Sequence, residues 1–440
     1  MKITNVYTEK YKWPKEKPIA NGTHVFTHNE LNLLVIETDE GITGYGTSWE
    51  INFAERMGQA ILGEDPLNNE KLWKKTYVPK FMGRKGNSLW SVSAIDIALW
   101  DIKAKVADMP LYRLIGGSRE KIPFYIAGGY YAKDKGIPEL QKEMEEYLSW
   151  GAKAVKMKVG LLSMEEDAAR VKAVRQVIGD KVKLMLDANC SYKAFEAIEF
   201  SHMVEEYNPY WFEEPVDQDD YDGYKKISQK SSIPIAAGEN EMTRFGFRDL
   251  LRTKAVDILN PDATCMGGVT EFLKIAGMAD ANGVVLSPHG QQQVHIHLDC
   301  AVPNATIAEF YPPQYDEKVY EAFKAPVRFN DDGTVSIKAD ANNKYICAVL
   351  DEENQLTPRS DSISTWEKFK IYKINDSEYG IRSAENGKYV KTDLDNGGKL
   401  IAGSDSISGA WEAFNIEKVG DTTTNDKIEK WDGSSSVTYN

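Results

Sequence analysis

The feature that most constrains this chain is a series of ionisable residues at the ends of successive short apolar runs. Eight runs alternate with helical stretches, at residues 122–127, 154–159, 183–187, 210–214, 233–237, 256–260, 284–287 and 306–310. Between the second and third, Ser163 and Glu166 have the spacing of a capping box, and Ala169, Val171, Val174 and Val177 follow on a helical rhythm. Such alternation predicts a parallel sheet, and eight strands predict a closed barrel. Towards the C-terminal ends of the runs stand Lys156 with Lys158, then Asp187, Glu213 with Glu214, Glu239, Asp262, His289 and Glu309. From Lys158 onward the gaps are 29, 26, 26, 23, 27 and 20 residues, each about one βα unit. In a parallel barrel these ends share one rim, where catalytic residues of such barrels sit. One Lys or Glu at a strand end is ordinarily a solvated loop residue. Barrel strands are otherwise written in Val, Ile and Leu, so solvation does not explain the joint pattern.

The flanking segments read differently. In the first hundred residues, 31–38 (LNLLVIET) is a strand, Asp39-Glu40-Gly41 a turn, and Thr43 to Gly46 the start of a returning strand. Val92, Ile95, Ala98, Leu99 and Ile102 recur at helical spacing and predict an amphipathic helix within 88–106. Beyond residue 339 an internal repeat begins: Tyr345 with Trp366 in one copy, Tyr389 with Trp411 in the other, offset by 44 and 45 residues. Gly, Asn and Asp turns between short strands make this stretch a β-rich module. The expected organisation is an α+β capping domain at 1–118, a (β/α) barrel at 119–310, and a return segment to the cap at 311–338. A two-copy β module at 339–420 and a polar tail at 421–440 complete it.

The charges suggest a chemistry. Asp187, Glu213 and Glu239 come from three adjacent strands, and three anions placed together need a cation. All-oxygen ligands favour Mg²⁺, with Mn²⁺ possible, over zinc. Glu214 points to the opposite face of its strand and is expected to pair with a supporting cation. Lys156 and Lys158 share a face, so their ammonium groups should depress one pKa and prepare a base. Asp262 and His289 lie on neighbouring strands, where a carboxylate can fix the imidazole tautomer. A structural histidine is the plainer reading of that residue, and His202, His295 and His297 have no comparable setting.

Lys156-Met157-Lys158, Leu186-Asp187-Ala188-Asn189, Trp211-Phe212-Glu213-Glu214-Pro215 and Gly238-Glu239-Asn240 form an ordered set with Pro261-Asp262, Ser287-Pro288-His289-Gly290 and Ala308-Glu309-Phe310. That set resembles the enolase superfamily, and within it the mandelate racemase subgroup, over residues 1–338. The resemblance implies that Asp187, Glu213 and Glu239 bind Mg²⁺. Lys158 would be one acid/base with Lys156 lowering its pKa, and His289, oriented by Asp262, would be the other. Glu309 would hydrogen-bond the substrate carboxylate, and Asn189 would add a polar contact. Lid segments at 21–28 and 47–50 would close the site, with His24 and Trp49 as substrate contacts. After Gly333 the chain departs from the family's pattern. Its repeat module resembles fascin-like or ricin-like β-trefoil repeats, although a trefoil needs three copies and two are found.

The implied reaction is removal of the proton α to a carboxylate, followed by loss of a β-hydroxyl from a sugar acid to give a 2-keto-3-deoxy acid. Racemisation or epimerisation of a 2-hydroxy acid is the alternative within enzymes. A glycan-binding protein with an inactive barrel is the alternative of another class. A net charge of −14 with no basic run argues against nucleic acid as a partner. The N-terminus lacks the apolar run of a signal peptide, no long apolar stretch predicts a membrane span, and four scattered cysteines suggest reduced thiols. A cytoplasmic homo-oligomer acting on a small sugar acid is therefore expected, with a glycan as a further partner of the module.

Overall fold

The structure is a computed structural model that describes residues 1–312 throughout. Beyond them it describes the strand segments Arg328–Phe329, Thr334–Ser336, Tyr345–Val349, Gln355–Ser360, Phe369–Lys373, Tyr379–Ser383, Tyr389–Asp393 and Lys399–Ser404. Two compact units result, Met1–Ala339 and Asp340–Asn440. Trp366, Trp411 and the polar tail lie outside the described residues.

The first unit opens with a three-stranded antiparallel sheet: β1 (Ile3–Ala20), β2 (Val25–Thr38) and β3 (Thr43–Thr47). Strand β3 lies against the helix Asn87–Val106, where Gly44 and Gly46 let the two backbones meet. That helix was expected to be amphipathic. It is instead buried on nearly every side, including at Ser91, Ser93 and Asp96. Its second neighbour is the helix Gly268–Ala281, and the buried Asp96 carboxylate accepts from the backbone N–H and the hydroxyl of Thr270, at 2.8 and 2.6 Å. Cap and barrel thus share a packed and hydrogen-bonded seam.

Eight parallel strands follow: β4 (Lys121–Gly128), β5 (Ala154–Lys158), β6 (Lys183–Asp187), β7 (Trp211–Glu213), β8 (Ile235–Ala237), β9 (Ile258–Leu259), β10 (Val285–Leu286) and β11 (Ala308–Phe310). Each pairs with the next in order, β11 pairs with β4, and a parallel bridge from Leu286 to Ala305 closes the ring. The expected barrel is present. Period-two alternation sorts its side chains. Phe124, Val155, Met157, Leu184, Leu186, Phe212, Leu259 and Phe310 face outward into the main core under the helices. Tyr125, Ala154, Met185, Trp211, Ala236, Ile258 and Ile307 form a separate apolar cluster inside the barrel. Two residues further along the same face of their strands come Lys156, Asp187, Glu213 and Glu309. The charged level therefore rests on an apolar floor.

The described part of the return segment is a hairpin, Arg328–Phe329 with Thr334–Ser336, paired antiparallel to Lys121–Pro123 at the start of β4. In the second unit the described strands make one six-stranded antiparallel sheet. The sequence repeat appears there as two equivalent antiparallel strand pairs, 345–349 with 355–360 and 389–393 with 399–404, with the same register irregularity after Tyr345 and after Tyr389. No helix among the described residues is long and apolar enough to cross a membrane.

The close approach of β3 gives a stability test. A Cβ at Gly46 would collide with the Ala94 carbonyl oxygen, whereas a Cβ at the exposed helical Gly277 meets nothing. Gly46→Ala should cost about 1–3 kcal/mol, and Gly277→Ala should add roughly 0.5–1 kcal/mol. Denaturant titration of the two variants checks the opposite signs.

Candidate active site

The strand register assembles the charged level. Lys158 is the lateral Cα partner of Asp187, and Asp187 of Glu213. Lys156 and Lys158 are essentially fully buried. Lys156 Nζ lies 2.7 Å from Glu213 Oε1, 2.7 Å from Glu309 Oε1 and 3.5 Å from Asp187 Oδ2. Lys158 pairs with Asp187 Oδ2. The expected depression of the lysines is not what the geometry produces. Burial pushes Lys158 down, as does Lys156, but Asp187, Tyr130 and Glu239 together outweigh them and the Lys158 pKa is raised. Lys156 is likewise raised against its burial by Glu213 and Glu309. Both ammonium groups are held charged by carboxylates whose closeness strand spacing does not reveal.

The carboxylates respond in kind. Despite burial, Asp187 is held below its ordinary value by Lys158 and Lys156. Glu213 is pushed up to about 8 by burial together with Asp187, Glu239 and Glu309, against the pull of Lys156. One oxygen from each of Asp187, Glu213 and Glu239 lies within 4.8 Å of the others. Glu239 Oε2 is buried with no hydrogen-bond partner, which is the mark of an oxygen that lacks a ligand. Three convergent carboxylates with an orphaned oxygen fit a hard divalent cation. Glu214 lies just past the end of β7 with a positive φ of 37°, not on an extended strand, and its partners are the Asn240 amide at 2.7 Å and the Cys190 thiol at 3.2 Å. The expected supporting cation is replaced by neutral donors, and burial drives Glu214 well above the ordinary carboxylate range.

Across the rim, His289 Nδ1 lies 3.1 Å from Asp262 Oδ2, and His289 Nε2 lies 3.5 Å from Glu239 Oε2. Asp262 also accepts from the backbone and hydroxyl of Thr264, at 2.8 and 2.6 Å. Although burial opposes it, His289 is raised well above its ordinary value by Glu239, Asp262 and Glu309, and Asp262, against its own burial, is drawn down to about 2 chiefly by its bond to His289. Glu309 accepts from Lys156 and, at 2.5 Å, from the Gly290 N–H; against burial, Lys156, His289 and Lys158 hold its pKa below the ordinary value.

The expected substrate contacts divide. Asn189 lies at the cluster: its amide donates to Glu239 at 3.3 Å, and its Oδ1 is buried without a partner. Trp49 donates its indole N–H to Asp262 Oδ2 at 3.3 Å and lies nearly parallel to the His289 ring, 6.2 Å away. His24 is exposed and reaches the site only through rings, from Phe26 at 6.4 Å to Tyr130 at 6.3 Å. Both lid segments touch the barrel. Ala20 bridges Tyr131, Gly22 comes close enough to Ala188 and Ser191 that a Cβ would clash, and the Ser48 hydroxyl donates to the Thr264 carbonyl at 2.6 Å.

Several further residues at the site were not among the candidates. Tyr130 lies just past the end of β4, with the Lys158 ammonium over its ring at 5.0 Å. Trp211 donates to Glu213 at 2.8 Å, and Arg170 binds the Lys158 carbonyl at 2.9 Å. His295, set aside in the sequence, packs behind Asp262 with its Nε2 3.5 Å from Oδ1.

Comparison with known proteins accords with this arrangement. Residues 3–116 match the mandelate racemase / muconate lactonizing enzyme N-terminal domain, and residues 139–340 match the enolase C-terminal domain-like family. The chain belongs to the enolase superfamily. Relatives of this superfamily member carry the names of acid-sugar dehydratases and cycloisomerases. It is 38% identical over 263 residues to an arabinonate dehydratase of Saccharolobus solfataricus, covering 58% of this chain and 70% of the relative. It is 33% identical over 320 residues to a 3,6-anhydro-alpha-L-galactonate cycloisomerase of Streptomyces coelicolor, covering 70% of this chain and 88% of that one. Among solved structures, an L-talarate dehydratase from Polaromonas sp. JS666 complexed with Mg and L-glucarate superposes with a TM-score of 0.69 at 32% identity, over 77% of this chain and 92% of that one. Residues 328–434 match a domain of unknown function, and no trefoil relationship is among these matches.

The buried ion pairs yield a direct test. Lys156→Met removes the ammonium that Glu213 and Glu309 share and leaves buried carboxylates uncompensated. In excess chelator the variant should lose about 3–5 kcal/mol of stability. A melting temperature equal to wild type would show that Lys156 does not balance that charge.

Proposed function

We propose that the protein is a Mg²⁺-dependent acid-sugar dehydratase. The observation that carries the reading is the flanking of the carboxylate cluster by two acid/base groups, Lys158 beside Asp187 and His289 beside Glu239. Asp187, Glu213 and Glu239 would hold Mg²⁺, which when bound stabilises negative charge on the substrate carboxylate. The solved L-talarate dehydratase relative carries Mg with a sugar acid, which supports the same pairing here.

The chain's own residues would act as follows. Lys158 and His289 are held protonated by anionic charge that a cation on Asp187, Glu213 and Glu239 would offset, so that one of them can first give up its proton to solvent. That residue, once deprotonated, takes the proton from the α-carbon, and the C–H electron pair moves towards the carboxylate. The other gives a proton to the β-hydroxyl, the C–O bond breaks, and water leaves. The resulting enol tautomerises to the 2-keto-3-deoxy acid. Two bases on opposite faces cannot both reach one isomer's α-hydrogen, so substrate configuration decides which residue abstracts. Asp262 holds the imidazole orientation. Lys156 stays charged and offsets developing negative charge. Glu309 gains a proton as the anionic substrate approaches, since a like charge raises its pKa, and then hydrogen-bonds the carboxylate. Asn189 supplies a further polar contact from its unpartnered Oδ1.

Isomerisation is the second reading, favoured by the cycloisomerase relatives. It would share the proton abstraction and give a product of unchanged mass. We further assign the enzyme to the cytoplasm, in keeping with the free thiols of Cys190, Cys265 and Cys300. A glycan is assigned to the repeat module on the strength of its tandem strand pairs. Retention of the full chain on immobilised polysaccharide tests that assignment, and elution with the void volume refutes it.

For the reaction, a panel of sugar acids incubated with enzyme and Mg²⁺ in ordinary water should yield a product lighter by one water, and the same panel in D₂O reports exchange at the α-carbon. Lys158→Ala and His289→Asn should each lower turnover by ~10²–10⁴-fold. Only loss of the abstracting residue should also stop α-deuterium exchange for a given isomer. Exchange unaffected by either substitution would remove both residues from the mechanism, and a product of unchanged mass would select isomerisation.

A further inference from the structure

A second imidazole stands behind the His289–Asp262 pair and has no part in the proposed reaction. His295 is buried in the first turn of the helix Gln292–Ala301. Its Nδ1 lies 2.6 Å from the carbonyl oxygen of Gly290, and its Nε2 lies 2.9 Å from the backbone nitrogen of Ala263. A carbonyl oxygen only accepts and a backbone N–H only donates. The two contacts therefore assign one state to the ring: neutral, with its hydrogen on Nδ1. A proton on Nε2 would face the Ala263 N–H and break that bond.

The two contacts also share a logic of placement. Gly290 directly follows His289, and Ala263 directly follows Asp262. One ring thus spans the two loops that carry the pair, gripping each loop a single residue beyond its functional side chain. The charged and titratable groups facing it are Asp262, His289 and Glu309; burial, aided by His289, lowers its pKa against the pull of Asp262 and Glu309.

We propose that His295 is a positioning residue, a neutral strut that sets the separation of the Asp262 and His289 loops and so aims His289 Nε2 at its face of the substrate. The proposal rests on the reading of His289 as an acid/base group. Its first test is independent of that reading. The chain has six histidines, so ¹⁵N-histidine NMR of the whole protein, compared with His295→Asn, identifies the His295 signals. The expected spectrum shows a protonated Nδ1 and an unprotonated Nε2 that persist across the pH range of the folded protein. The other tautomer, or titration near the ordinary imidazole value, would overturn the proposal whatever the reaction proves to be.

The second test separates positioning from packing. His295→Leu removes both contacts, His295→Asn keeps a donor in place of Nδ1, and His295→Gln keeps an acceptor in place of Nε2. His295→Leu should slow α-deuterium exchange at the His289 face by about 10–100-fold, the range found when partners that orient a functional histidine are lost. KM should stay within about 2-fold, and exchange at the Lys158 face should be unchanged. His295→Asn and His295→Gln should each recover part of the rate. Equal loss at both faces, no loss at either, or no recovery in the two polar variants would contradict the proposal. Should His295→Leu fail to fold, a loss confined to the His289 face in the polar variants supports the strut, and an equal loss at both faces overturns it. Absence of exchange in the wild type would sink the functional reading and leave the tautomer result standing.

Discussion

Everything at the mouth of this barrel depends on keeping charge buried in balance. Lys156 and Lys158 are sealed from water at the level where Asp187, Glu213 and Glu309 converge. Isolated ions at that depth would be untenable, and they persist because Lys156 is shared among Asp187, Glu213 and Glu309 while Lys158 pairs with Asp187. The balance is incomplete at Glu239, whose Oε2 has no hydrogen bond and meets only the His289 ring, at 3.5 Å. That local excess of acceptor is where a cation fits, and the acid/base groups stand on either side of it.

The balance needs a rigid frame, and the frame comes from both layers of the first unit. Inside the barrel, Tyr125, Ala154, Met185, Trp211 and Ile307 close the floor and exclude water from below. Above, the cap lies directly on the chemistry. Ser48 and Trp49 hold the Asp262–Thr264 turn, and Ala20 pairs with Tyr131, whose hydroxyl binds Asp167 at 2.6 Å. Arg170 in turn grips Asp167 and the carbonyl of Lys158. The 47–50 segment is thereby connected to the His289 side, and Ala20, just before the 21–28 segment, to the Lys158 side, which makes cap position and base position a single mechanical problem.

The barrel strands and the charged rim were legible because period-two alternation places Lys156 with Lys158, Asp187, Glu213 and Glu309 on inward faces, and because one βα unit separates successive charges. Less legible was anything set by distance across the barrel. Crowding of Lys156 and Lys158 suggested a depressed lysine, but carboxylates from strands 29 and 57 residues away reverse the sign. Glu214 was expected to need a cation and found an amide and a thiol. Strand β1 carried little apolar signal, being rich in Lys and Glu with two prolines, and forms because its backbone pairs with the readable β2. His295 was passed over because its partners are backbone atoms of two other loops, which no residue pattern records.

The central claim, that the carboxylate cluster is held open for one divalent cation, is tested most directly by calorimetric titration of Mg²⁺ into chelator-stripped protein. The account predicts one site per chain in the wild type, and loss of that binding in a folded Glu239→Gln variant. No binding to the wild type, or undiminished binding to Glu239→Gln, would contradict it.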